Sequence, residues 1–466
     1  MVKPFDNQHK TITLEHQCDP LLLATTLINA DFCHNYVVYE HHNEWAIGIN
    51  KLACLTVDNQ GTIVDFFGNT LKPEHGLICD AIYHATQALP WDRWRLFGRV
   101  DFEFSHFAHK IPQKDDLHTL LELFIAQHDI RITANRLVIR TTNDSILPII
   151  RETIDKTKNS VPTNTTTAKL TQDDIIKNDN IRHNYQKIVE SAVNDIRDNN
   201  YKKVILSRVA TLPRSIDMCR SFILGRLNNT PARSFMLKLG EHEAFGFSPE
   251  TVLEVDKQGY LSTQPLAGTR LLPSDPVEAE RLKYELTTDP KEIAEHATSV
   301  KLAVEELEQV CNEKTVCVTE FMEVYQRGSV QHLASRVVGQ LKHGKSAWNA
   351  FKILFPAITA SGIPKREAIE AISRFEHTTR GLYSGSILIA DHDGFFDAAL
   401  VLRAAYKHQS KSRLQAGAGV ISLSSPTREW QETCEKMSCV LDHLIFEDQL
   451  TTIDSLTSPQ TQETLV

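Results

Sequence analysis

Long apolar runs are missing from this 466-residue sequence. Nowhere does it approach the roughly 20 consecutive apolar residues that cross a bilayer, which excludes a membrane-spanning helix. The opening segment Met1 to Asp6 also lacks the apolar stretch of a secretory signal, so a cytoplasmic protein is expected. A basic excess is missing too: Lys and Arg number 50 against 59 Asp and Glu, a net charge of -9. Without a cationic field to attract phosphate backbones, nucleic acid is excluded as the main partner. An anionic substrate must then be met by cations placed locally. Cysteine occurs nine times but never as C-x-x-C, which leaves neither a disulfide framework nor a thiolate zinc site. Cys434 and Cys439, five apart on an expected helix, are read as small buried hydrophobes rather than as a redox pair. No repeat of 20 to 50 residues is present.

What remains is the composition of an ordinary globular protein, 41% hydrophobic and 23% charged, on a chain long enough for two or three average domains or one large α/β unit. Residues 1–155 combine expected strands at Asn35 to Tyr39 and Leu137 to Arg140 with an expected helix at Leu117 to Gln127, and carry no chemical motif; they are read as framework. Residues 156–175, with Pro162 and the cluster Thr163, Thr165, Thr166 and Thr167, form a polar loop or linker. Residues 176–449 hold the candidate chemistry, and 450–466, rich in Ser, Thr and Gln, are expected to be a disordered tail. An amphipathic helix is predicted through Tyr185 to Arg197, followed by the strand Val204 to Leu206 with Lys203 at its mouth. Phe235 to Leu239 and Ala244 to Phe247 predict a strand pair, and Pro249 is placed at a helix N1 position beside Glu250. Gly385 to Ala390, a turn at Asp391 to Gly394, and Phe395 to Arg403 predict a hairpin. This mixture implies an α+β or α/β sandwich.

Two helical segments carry carboxylates three residues apart, Glu292 with Glu295 and Glu429 with Glu432, so each pair shares a helix face. If the helices meet, a hard cation such as Mg²⁺ would relieve the repulsion among four carboxylates; if not, these are two solvated faces. Lys436 continues the second face one turn on. Ala416-Gly417-Ala418-Gly419 is either an anion-binding nest or a strand passage that demands small residues. Lys203 and Glu250 are candidates for base and acid should burial shift them. Arg403 and Arg270 are either carboxylate forks or ion-pair partners, and His332 either a proton carrier or a hydrogen-bonded core histidine.

Five ordered segments, Lys-Val-Ile-Leu-Ser-Arg (203 to 208), Phe-Ser-Pro-Glu (247 to 250), Pro-Leu-Ala-Gly-Thr-Arg (265 to 270), Lys-Glu-Ile-Ala-Glu-His (291 to 296) and Glu-Trp-Gln-Glu-Thr-Cys-Glu-Lys (429 to 436), together resemble the chorismate-utilising enzymes. That resemblance covers the C-terminal part of the chain and implies one α/β (α+β) domain, a two-layered sandwich of large, mainly antiparallel sheets flanked by helices. Lys203 looks like the water-activating lysine of the isochorismate and salicylate branch, where ammonia-using relatives tend to have Gln. Ala267 stands where covalent aminodeoxychorismate synthases place a lysine. The segments Arg327 to Leu333 and Phe355 to Lys365 are most similar to salicylate synthases of siderophore biosynthesis.

By this resemblance, Lys203, Glu250 and His332 would be catalytic, and Glu295, Glu432, Glu292 and Glu429 would bind Mg²⁺. Gly268, Thr269, Thr359, Tyr383, Arg403, Gly417, Ala418, Gly419 and Lys436 would bind the substrate. The implied reaction takes chorismate through isochorismate to salicylate and pyruvate. Because water is the nucleophile, no glutamine amidotransferase subunit is implied, and a monomer is expected. The neighbouring alternatives are an isochorismate synthase that releases its product, differing around His332 and Thr359, and a non-catalytic chorismate-binding protein, which would lack the acid or the base. Residues 271–280 depart from the family in lacking the glycine often found after this arginine.

Overall fold

The structure is a computed structural model that describes residues 9–91, 93–113, 118–158, 160, 176 and 178–447. Most of the expected linker and the whole expected tail lie outside the described residues, although Lys156 and Thr157 end a helix, Leu147–Thr157.

Two long strands, Glu44–Asp58 and Thr119–Ile132, pair antiparallel from Trp45 opposite Ile132 to Asp58 opposite Thr119, with a register shift between Lys51 and Ala53. Each is too long to serve one sheet face, and each serves two wings. The segment before the shift continues through Tyr36–His41, Arg233–Leu239, His242–Ser248, Ala404–His408 and Lys411–Val420 to Lys203–Thr211. Beyond the shift, the sheet continues through Arg95–Val100, Ser386–Asp391, Phe396–Leu400, Thr251–Val255 and Tyr260–Thr263 to Val330–Gln340. The N-terminal strands therefore form the middle of one sheet system that later strands extend on both sides, and every pairing among the described strands is antiparallel.

The wings press together over Tyr39, Phe97, Phe124, Phe235 and Ile387. Their approach is close enough that a Cβ on Gly48 would sit 2.5 Å from the Phe97 ring. Helices cover the outer faces. Pro20–Ile28, Asp179–Arg197, Met218–Leu227, Lys365–Phe375 and Pro426–Leu441 bury one apolar layer on the first wing; Ile78–Gln87, Pro290–Val310 and Ala347–Leu354 bury another on the second. The expected sandwich of antiparallel sheets flanked by helices is what the chain forms.

Two local expectations are corrected. The segment predicted helical at Leu117 to Gln127 is the strand Thr119–Ile132, buried on both faces, Leu117 itself lying outside the described residues. A strand covered on both sides has no alternation to betray it. Pro249 does not open a helix: it sits with Glu250 in a turn between the strands His242–Ser248 and Thr251–Val255. The Ser248 hydroxyl locks that turn by donating to Glu250 O at 2.7 Å and Leu400 O at 2.5 Å.

Candidate active site

A cleft of about 770 Å³ opens at the ends of several strands, and every residue lining it falls between Lys203 and Lys436. Lys203 begins the strand Lys203–Thr211, Glu250 occupies the turn just described, and Thr359 lies in a short 3-10 turn. Gly268 and Thr269 belong to the strand Leu266–Leu271, where Gly268 takes φ +71. The neighbouring Glu292 Oε2 and Leu286 Cδ1 stand 2.9 and 3.0 Å from where a Cβ would be. Gly417 and Gly419 lie inside the strand Lys411–Val420, so the glycine run is a paired strand and not a loop nest. Small residues are required there because a Cβ on Gly417 would stand 3.0 Å from the Tyr383 hydroxyl, and one on Gly419 3.1 Å from Glu295 Oε1. Ala418, between them, is wholly buried and does not line the cleft.

Glu250 is the buried acid of the cleft. Its Oε2 accepts from the backbone N–H of Leu266 at 2.9 Å and its Oε1 from the Thr359 hydroxyl. Burial outweighs these bonds and the nearby Lys203 and Arg403 charges, and pushes the carboxyl up to about 7. Such a group exchanges a proton near neutrality. Lys203, 3% exposed, reaches Glu295 Oε1 at 2.7 Å.

Cations gather on another part of the lining. Lys436 Nζ contacts Glu432 Oε1 at 2.7 Å and donates to Gly417 O at 2.9 Å. Arg403, with φ +48, donates from Nη1 to Arg327 O at 2.9 Å and from Nη2 to His332 Nε2. The other ring nitrogen of His332, Nδ1, donates to Gly268 O at 3.0 Å with the Thr269 hydroxyl at 3.1 Å. Burial and the Arg403 charge hold this imidazole well below its ordinary range, so it is neutral and both nitrogens are occupied. In this arrangement His332 orients Arg403. Arg270, by contrast, is an ion-pair residue outside the cleft, donating to Asp289 at 2.8 Å and Glu292 at 3.0 Å.

The two acidic helices do meet. Asp289 caps Pro290–Val310 through the N–H groups of Lys291 and Glu292, and Pro426 opens Pro426–Leu441, so each Glu pair falls in the first two turns. Glu295 and Glu432 line the cleft; Glu292 and Glu429 stand behind it. Among the described residues, no three acidic, histidine or cysteine side chains converge into a ready ion cage. Lys203 and Lys436 instead hold Glu295 and Glu432 as counter-ions. Glu429 is the exception: 1% exposed, it has two buried oxygens without a well-formed hydrogen bond, and Lys291 is 3.6 Å from Oε1. Burial and the Glu432 charge push it up to about 7. An all-carboxylate donor set with one member short of hydrogen bonds fits a hard divalent cation.

Sequence reading gave no place in the site to Pro249, Leu266, Leu402 and Gln415, which also line the cleft, or to the buried Glu376 and Arg380 behind it. Glu376 and Arg380 stand four apart in sequence, but the helix Lys365–Phe375 ends before either of them, so spacing alone does not mark the pair. Cys434 and Cys439 are buried on the C-terminal helix.

Sheet order, flanking helices and a cleft carrying acid, lysine and clustered cations define the fold class of chorismate-utilising enzymes. The structure superposes on anthranilate synthase component I from Streptococcus pneumoniae with a TM-score of 0.71 at 22% identity, covering 86% of this chain and 92% of that one. It matches the menaquinone-specific isochorismate synthase from Escherichia coli with a TM-score of 0.70 at 20% identity, covering 94% and 95%. The sequence profile described as chorismate binding enzyme matches residues 35–442, and the chain belongs to that family. It is 35% identical over 448 residues to a salicylate synthase from Mycolicibacterium paratuberculosis, covering 94% of this chain and 97% of that protein. Anthranilate synthase component 1 from Saccharolobus solfataricus is 36% identical over 260 residues, covering 56% of this chain and 61% of that protein. The chain is thus a chorismate-utilising enzyme.

Proposed function

We propose that this enzyme is a Mg²⁺-dependent salicylate synthase that converts chorismate through isochorismate to salicylate and pyruvate, for siderophore biosynthesis. The observation that carries this reading is the extent of the likeness to a salicylate synthase, 94% of the chain, where the anthranilate synthase match stops at 56%. The cleft supports it with a lysine and a neutral-range carboxyl on one lining.

In the first step Lys203 takes a proton from water as its oxygen bonds to ring C2, and Glu250 gives a proton to the C4 hydroxyl, which leaves as water. Hydration and dehydration balance, so isochorismate is an isomer of chorismate. In the second step the ring C2 hydrogen passes to the departing enolpyruvyl group, the ether bond breaks, and the ring becomes aromatic. Here the site mainly holds the side chain over the ring. Arg403, oriented by His332, and Lys436 face the carboxylates, while Tyr383, Gly417 and Gly419 leave room for the ring. Glu295, Glu432 and the flanking Glu292 and Glu429 would hold Mg²⁺. When bound, the ion supplies positive charge for a substrate carboxylate.

The test is incubation of the purified protein with chorismate and Mg²⁺, with and without EDTA, following salicylate fluorescence and product chromatography. Salicylate and pyruvate formed only with metal support the proposal. Isochorismate as sole product reassigns the enzyme as an isochorismate synthase, and untouched chorismate removes the reading.

A further inference from the structure

We propose that Arg380 is a positioning residue that sets the spacing between Lys203 and Glu250 from behind the cleft, an assignment that rests on the acid and base roles above. Arg380 is 1% exposed and does not line the cleft. Its guanidinium donates from Nη2 to Ile205 O at 2.7 Å and from Nη1 to Ala360 O at 2.8 Å. Ile205 lies two residues beyond Lys203 on the same strand. Ala360 follows Thr359, whose hydroxyl holds Glu250. One planar group thus joins the carrier of the base to the carrier of the acid.

The rest of the network fixes that plane. Nε and Nη2 donate to the two Glu376 oxygens at 2.9 and 2.6 Å, and Nη1 reaches Ser384 Oγ at 3.4 Å, so all five guanidinium hydrogens have acceptors. Glu376 in turn accepts from Ser207 N at 2.7 Å and Ser207 Oγ at 3.0 Å, tying it to the Lys203 strand a second time. From the other side, Glu103 accepts from Arg380 N at 2.7 Å and Gly381 N at 3.1 Å. The rings of Phe102 and Tyr383 lie 4.6 and 5.6 Å from the guanidinium carbon. Neutralising Glu376 needs only a charge; reaching both backbone carbonyls at once needs the fork. That difference separates a positioning role from simple charge balance.

Arg380→Lys keeps the charge and loses the fork. The expected result is a folded protein whose kcat for chorismate falls about 100-fold while KM changes by no more than about threefold, as misplacement by about 1 Å produces. Conversion of added isochorismate, which needs no water base, should fall far less. A folded Arg380→Lys with wild-type kcat, or with both steps reduced equally, overturns the assignment. If Arg380→Lys does not fold, Glu376→Gln replaces it: about a tenfold loss confined to kcat for chorismate supports the proposal, and unchanged kcat overturns it. A wild-type protein that leaves chorismate untouched removes the functional reading and this assignment together. Wild-type turnover with an unaffected variant removes the assignment alone.

Discussion

Asp397 in the sheet interior and Glu250 in the cleft are both shielded from water, at 0% and 2% exposure, yet their charges are managed in opposite ways. Burial works against the Asp397 carboxylate, but Arg233 grips both its oxygens at 2.9 and 2.6 Å, His41 stands at 3.3 Å and the Tyr39 hydroxyl donates to it. Together they hold it well below the usual carboxylate range. Glu250 has one hydroxyl, one backbone N–H and more distant cations, and burial prevails. Depth therefore does not decide the proton; the partners do. The interior spends charge on cohesion across the two wings, while the cleft keeps a carboxyl short of compensation and able to transfer a proton near neutral pH.

The contrast is most severely tested by Asp397→Asn, which leaves Arg233 buried beside a neutral amide. Chemical denaturation should show a loss of about 3–5 kcal/mol, with the ratio of products unchanged in the protein that remains folded. Next in size, Lys203→Gln should lower chorismate conversion about 1,000-fold while added isochorismate is still converted, as read by salicylate fluorescence. Equal loss of both steps would separate Lys203 from the water step.

Glu250→Gln sharpens the same contrast through stability. The folded carboxyl binds its proton more tightly than the unfolded one, so the contribution of Glu250 to stability is greatest at low pH and declines between the ordinary range near 4.5 and about 7. The amide removes that decline: thermal melting should show a gain of about 1–3 kcal/mol at pH 8 and none at pH 4, in a protein without hydration activity. The wild-type kcat/KM should fall on the alkaline side of about 7. Smallest is Glu432→Gln, which should weaken the melting shift produced by added Mg²⁺ by about 10–100-fold in ion concentration while the protein stays folded. An unaltered shift would remove the metal assignment.

Elements with a local signature were legible in the sequence. The amphipathic helix appears as Asp179–Arg197, the strand beside Lys203 as Lys203–Thr211, and the hairpin around Asp391 to Gly394 as Ser386–Asp391 with Phe396–Leu400. Thr119–Ile132 was lost because its Leu, Glu and Ala suit a helix, and pairing on both edges by Glu44–Asp58 and Arg95–Val100 overrides that preference. Most candidate site residues, scattered from Lys203 to Lys436, line one cleft. Their partners could not be foreseen: that Lys203 meets Glu295, or Arg380 the carbonyls of Ile205 and Ala360, depends on contacts between segments far apart in the chain. Protonation was equally hidden, since Asp397 and Glu250 differ in neighbours and not in kind.

The pairing of Lys203–Thr211 with Lys411–Val420, Val204 lying opposite Val420, also sets a timetable for synthesis. A growing chain makes Lys203, Glu250 and the helix of Glu292 and Glu295 first, and the wall with Gly417 and Gly419 and the helix with Glu432 and Lys436 leave the ribosome after them. Until then the strand Lys203–Thr211 presents an unpaired edge, an aggregation hazard that slow, non-local sheet closure prolongs. Translation halted before Pro426 would thus yield no partially working enzyme, only a chain with apolar surface for chaperones and proteases to find.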